Sequence, residues 1–170
     1  MVRSMTLTAA TVLAAILVAA SSPCAASINP GNRAAASARP FNSSPVAEFD
    51  TPWAIAFLPD GRMLVTEKPG RIFIVTQSGQ KTEVRDGPKV LAAGQNGLLD
   101  IAPAPDFASS SRIYFTYVEP GDGGRLVLSR ATLSVSVDGA TLTDRTAIWW
   151  QAPAGGGGQP GGIITFDPQG

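Results

Sequence analysis

The sequence of 170 residues contains no histidine and one cysteine. Without imidazole there is no Ser/His/Asp or Cys/His pair, no histidine general base and no His-ligated metal site. The single thiol, Cys24, cannot form an internal disulfide, and it stands in a segment that reads as removable. Charge is also sparse. Only 15% of residues are charged, 13 basic against 13 acidic, for a formal net charge of zero. No basic cluster exists, which excludes the concentrated positive surface that neutralising nucleic-acid phosphates requires. Beyond the N-terminal segment, no window places apolar residues at helical spacing over three turns, so the expectation is an all-β fold.

The first 26 residues read as a secretory signal. Arg3 supplies the charged start, and Leu7 to Ala20 is an uncharged run of 14 residues, too short to span a bilayer. Small residues at Cys24-Ala25-Ala26 and Ala25-Ala26-Ser27 suit cleavage. The expected location is therefore periplasmic or secreted, with no stable membrane span. Residues 27–45 are Ala, Ser, Asn, Pro and Gly with two arginines. They have no periodicity and few large apolar side chains, and they read as a disordered linker.

From residue 46 the pattern changes and repeats. In TPWAIAFLPDGRMLVTEKPGRIFIV (51–75), an apolar strand runs into the turn Pro59-Asp60-Gly61. A second strand then leads to Pro69-Gly70 and a third. The unit returns as LLDIAPAPDF followed by RIYFTYV, and opens again as IITFDPQG at 163–170. Corresponding turn positions fall at Asp60, Asp106 and Gln169. Short-strand units recurring at about 40–50 residues are the mark of β-propeller blades. Strands are expected near 53–58, 62–67, 71–76, 81–85, 98–102, 113–118, 125–133, 146–150 and from 163. Ile113, Phe115 and Tyr117 should share one packed face, as should Leu126 and Leu128. The adjacent Trp149 and Trp150 should point to opposite faces, one of them into the core. A closed propeller needs at least four blades. About two blades would leave an open sheet edge, so residues 46–170 are expected to be part of a larger propeller.

The scattered aspartates sit mostly at turns, where Asp caps local backbone groups. Asp100 is the one placed to point toward a cleft. GDGG (121–124) and GGGG (155–158) lack the following Lys-Ser/Thr and helix of a phosphate loop.

The ordered series AEFDTPWAIAFLPDGRMLVTEKPGRIFIV, AAGQNGLLDIAPAPDF and RIYFTYVEPGDGG resembles the N-terminal third of the soluble PQQ-dependent sugar dehydrogenases, the glucose/sorbosone and aldose sugar dehydrogenase family. GQNGLLD with the following PDF is the most specific piece. The resemblance implies a six-bladed propeller of the quinoprotein glucose dehydrogenase type, of which this chain covers about two blades. It further implies the cofactor pyrroloquinoline quinone (PQQ), calcium in the complete fold and a sugar substrate. The cofactor-contacting glutamine maps onto Gln95, whose amide offers donors and an acceptor. The family's catalytic histidine maps onto Gln159 and its companion arginine onto Ile163, so no catalytic residue and no metal ligand are assigned. The expected protein is the N-terminal fragment of an exported sugar dehydrogenase-like oxidoreductase, inactive as it stands. The alternatives are a non-catalytic propeller fragment that binds a carbohydrate or a partner chain carrying the missing blades, or a decayed gene product.

Overall fold

The computed structural model describes residues 41–121, 123–155 and 160–167. The expected signal segment, most of the expected linker and Gln159 lie outside the described residues. Two compact units divide between Asn42 and Ser43. The first lies almost wholly outside the described residues, and the second carries every element below.

Each apolar run bounded by a turn becomes a strand. β1 (Pro52–Phe57), β2 (Met63–Glu67), β3 (Arg71–Val75) and β4 (Lys81–Arg85) form an antiparallel meander. The β1–β2 turn is fixed by its own chemistry. Asp60 accepts the Arg62 backbone N–H at 3.0 Å and its Nε at 2.8 Å, and Gly61 takes φ +85°, which a side chain would oppose. The Arg62 hydrogen bonds, side chain first and then backbone, hold the Asp60 carboxyl below its usual value. The second meander is β5 (Leu98–Pro103), the one-turn helix α1 (Phe107–Ser110), β6 (Arg112–Glu119), β7 (Arg125–Ser136) and β8 (Gly139–Trp150). The repeat from Pro52 to Leu98 matches the spacing of the sequence unit.

These are two propeller blades. Sheet order is β1-β2-β3-β4-β8-β7-β6-β5, so the outermost strands meet through a short parallel pairing, Val84 with Ala140 and Arg85 with Thr141. Between the blades lies one core. Leu64, Ile72, Leu98, Ile113, Phe115, Val127 and Leu142 pack there with Ala54 and Ala56 from β1. Burying each large side chain stabilises the fold by about 2 kcal/mol. Thr66, fully buried, ties three strands together. Its Oγ1 accepts the Ala54 N–H at 3.0 Å and donates to the Leu99 carbonyl at 2.7 Å. On the other face of blade one, Met63, Val65, Phe73 and Val75 are covered by Ala47 and Phe49.

The alternating face of β6 is as expected, with Ile113, Phe115 and Tyr117 buried. Four expectations are corrected. β8 begins at Gly139, seven residues before residue 146, because residues 139–143 pair with β7 and bury Ala140 and Leu142. Ile163–Phe166 pairs with no strand among the described residues. In β7 the buried face is carried by Val127, Ser129, Ala131 and Leu133, while Leu126 and Leu128 are only half-buried. Neither Trp149 nor Trp150 is core. They are 49% and 45% exposed, because β8 is the outer strand of its blade and the register shifts within its β7 pairing. Among the described residues no helix is long and apolar enough to cross a membrane.

Candidate functional site

Strand polarity in the two meanders sends one set of connections to the same end. These are the β2–β3 turn (68–70), the β4–β5 loop (86–97), the β6–β7 turn (120–124) and the segment after β8. Their mutual contacts show the gathering. The Leu98 N–H donates to the Lys68 carbonyl at 3.0 Å, and the Val118 N–H to the Gly97 carbonyl at 2.9 Å. The Leu91 N–H reaches the Val118 carbonyl at 2.8 Å. On the far side the Gly155 N–H reaches the Gly124 carbonyl at 3.3 Å.

Gln95 sits in this cluster, exposed, in the loop that leads into β5. The loop is held from below. The Lys68 ammonium donates to the Gly94 carbonyl. A Cβ at Gly97 would lie 2.5 Å from the Lys68 carbonyl oxygen, so only glycine lets the two backbones approach this closely. A Cβ at Gly94 would meet nothing within 4 Å. Gln95 is thus exposed on a pinned loop, with the Lys68 ammonium bonded to the carbonyl of the residue before it. An exposed amide and a neighbouring cation suit one edge of a planar anionic ligand.

The other residues singled out fall into distinct environments. Ile163 is described and is 88% exposed. Asp100 does not face open space. Its Oδ2 accepts the Ile164 N–H at 2.7 Å, a backbone-anchoring role that sequence reasoning missed because the partner is 64 residues away. Lys68 was also missed, since a lysine at a Pro-Gly turn reads as solvated surface. Among the described residues no three His, Cys, Asp or Glu side chains gather as metal ligands would. A separate depression lined by Glu48, Phe49, Asp50, Glu67, Arg71 and Lys81 does not include Gln95. Within it Arg71 pairs with both Glu67 and Asp50, and Lys81 donates to the Glu48 backbone carbonyl at 2.7 Å and lies over the Phe49 and Phe73 rings.

Two blades with this loop cluster define a piece of a β-propeller scaffold. Comparison with known proteins gives the family. The family model "Glucose / Sorbosone dehydrogenase" matches residues 49–170, and the chain belongs to that family. It is 38% identical over 126 residues to the aldose sugar dehydrogenase YliI of Escherichia coli K12, covering 72% of this chain and 34% of that protein. Among solved structures it is similar to a glucose dehydrogenase (40% identity, TM-score 0.63, 71% of this chain and 39% of the other). It is also similar to the PQQ-bound form of an aldose sugar dehydrogenase from Streptomyces coelicolor (30% identity, TM-score 0.61, 73% and 37%). The chain therefore spans between a third and two fifths of the length of these relatives.

Proposed function

We propose that this chain is the N-terminal part of an exported, PQQ-dependent aldose dehydrogenase-like oxidoreductase, and that as this chain stands it does not turn over sugar. The observation that carries the reading is the exposed Gln95 amide on a loop pinned by Lys68 and Gly97, at the end where the connections gather. In this reading Gln95 hydrogen-bonds the quinone edge, and Lys68 holds the loop while placing a positive charge beside an anionic ligand. Bound PQQ supplies the hydride acceptor. The sugar hydroxyl must also lose a proton, and the chain has no histidine to take it. Gln159 stands at the expected base position, and an amide does not accept a proton near neutral pH. Loss of a general base lowers rate by ~10²–10⁴. Ile163, at the companion arginine position, offers no cation. Calcium belongs to the complete fold and is assigned to no described residue.

Titration of the exported chain with PQQ, followed by tryptophan fluorescence, tests the binding half. Saturable binding weakened by Gln95→Ala is expected, and binding indifferent to that change overturns it. Dye reduction with glucose and other aldoses, with PQQ and calcium supplied, tests the catalytic half, and turnover above the cofactor blank would refute it. Mass spectrometry of the exported chain should show an N-terminus near Ser27.

A second reading draws on the uncovered stripe Trp53, Ile55 and Phe57 of β1. It is a non-catalytic propeller piece that binds a carbohydrate or a partner chain carrying the missing blades. Calorimetric binding of an aldose in the absence of PQQ would favour it.

A further inference from the structure

The segment that enters after β8 is gripped by blade two. Thr116 Oγ1, on β6, donates to the Gly162 carbonyl at 2.8 Å and accepts the Asp100 N–H at 3.2 Å. Asp100 Oδ2, on β5, accepts the Ile164 N–H at 2.7 Å. Further along, the Tyr114 and Phe166 rings meet edge to face at 5.3 Å. Thr116 is 6% exposed and Leu99 fully buried. A Cβ at Gly162 would lie 2.8 Å from Thr116 Oγ1 and 3.2 Å from Leu99 Cδ1, so the close approach depends on glycine there. Asp100 takes part in none of the described ion pairs. Its carboxylate is engaged by a backbone N–H, the kind of charge-assisted bond that is roughly twice as strong as a neutral one.

The two bonds bracket one residue. Thr116 holds the peptide carbonyl before residue 163, and Asp100 holds the peptide N–H after it. The side chain at 163 is left facing outward. The geometry points to Asp100 and Thr116 as positioning residues: they clamp the backbone on both sides of position 163 and fix where its outward-facing side chain stands. On the PQQ reading above, in which Ile163 stands at the companion arginine position, position 163 is a specificity position of that site. With isoleucine it presents an apolar contact, and with arginine it would present a cation to an anionic ring ligand. The clamp is independent of what binds, whereas the ligand arm of the test rests on the PQQ reading above.

Asp100→Ala, Asp100→Asn and Thr116→Val should be made in the native chain and in an Ile163→Arg background. Two measurements are needed, amide hydrogen exchange at Ile164 and PQQ affinity by fluorescence. Asp100→Ala should speed Ile164 exchange by about tenfold or more, the scale of a lost hydrogen bond to a charged group. Asp100→Asn, which keeps an acceptor oxygen, should restore most of the protection. Phe115 and Ser129 amides in the β6–β7 ladder should stay protected. Ile163→Arg should tighten PQQ binding several-fold, Asp100→Ala should cancel that gain and Asp100→Asn should keep it. Unchanged Ile164 exchange in both Asp100→Ala and Thr116→Val overturns the clamp. So does an Ile163→Arg gain that survives Asp100→Ala. If Asp100→Ala loses ladder protection, Asp100→Asn and Thr116→Val decide. Gln95→Ala should weaken PQQ without moving Ile164 exchange. A chain that binds no PQQ in any background while Ile164 still responds to Asp100 supports the clamp and removes the cofactor reading.

Discussion

Glu67 and Arg71 face each other across the β2–β3 turn, with Arg71 Nε 2.5 Å from Glu67 Oε2. Glu67 is 1% exposed, and its second oxygen accepts the Asp50 N–H at 2.7 Å. One buried carboxylate thus holds the turn on one side and the chain entering β1 on the other. Arg71 keeps contact with water and also reaches Asp50.

Removing that carboxylate should loosen both attachments. Glu67→Ala is expected to lower stability by about 2 kcal/mol, the scale of lost hydrogen bonds to a charged group. Glu67→Gln, which keeps one acceptor, should cost about half as much. Urea denaturation midpoints at constant slope read the difference. Equal losses for the two variants would show that the acceptor role is not what matters.

Gly97→Ala should disturb the Gln95 loop. Its Cβ would meet the Lys68 carbonyl oxygen at 2.5 Å, and overpacking of this kind costs about 1–3 kcal/mol. Because the clash is with backbone, Lys68 cannot relieve it by changing rotamer. Amide exchange at Leu98, whose N–H bonds to Lys68, should quicken. No change there would mean that the loop absorbs the methyl group.

The apolar stripe on β1 should govern self-association rather than stability. Trp53, Ile55 and Phe57 are 47%, 56% and 63% exposed on an edge strand, the arrangement that invites edge-to-edge pairing. Ile55→Lys should leave the unfolding midpoint within about 0.5 kcal/mol and reduce light scattering at high concentration. A large destabilisation would place Ile55 in a covered interface.

Acid should act on the first turn in a defined direction. The Asp60 pKa is lowered from 3.8 by Arg62. A depressed carboxylate contributes stability that is present above 3.8 and is lost as pH falls below it. Asp60→Asn should therefore be less stable than the native chain at pH 7, with the gap closing toward pH 2. The effect should be small, since the Asp60 side chain is 51% exposed and solvent screens the pair. A gap that widens in acid would reverse the sign.

Much of blade one was legible because its turns carry their own chemistry. Pro59-Asp60-Gly61 and Pro69-Gly70 bound β2 and β3, whose residues are buried on both faces and so read as apolar runs. Residues 139–145 were not legible, because only Ala140 and Leu142 are buried there and Thr141, Thr143 and Asp144 between and after them are polar, so the apolar signal is too short to mark a strand. α1 escaped notice because one turn gives no periodicity. Ser110 Oγ bonds to Asp106 Oδ1 at 2.9 Å and marks it only in three dimensions. At the site, Gln95 could be singled out by its place between two glycines and by family resemblance. Lys68 and Thr116 could not, since each acts on a main-chain group that is distant in sequence.

The order of strands carries a consequence for how the chain acquires its shape during synthesis. Within each blade, every strand pairs with the next one made. The outer junction instead joins Val84 to Ala140 and Arg85 to Thr141, and Thr66 waits for Leu99. On a polypeptide delivered from its N-terminus, the first meander is complete in sequence by Arg85, and its apolar inner face then stays wet until the second has emerged. Local pairing is quick and the late junction is slow, as the loop-closure penalty of distant contacts requires. The vulnerable period for misassembly therefore falls between the emergence of residues 85 and 140, when half of the eventual core has no lid.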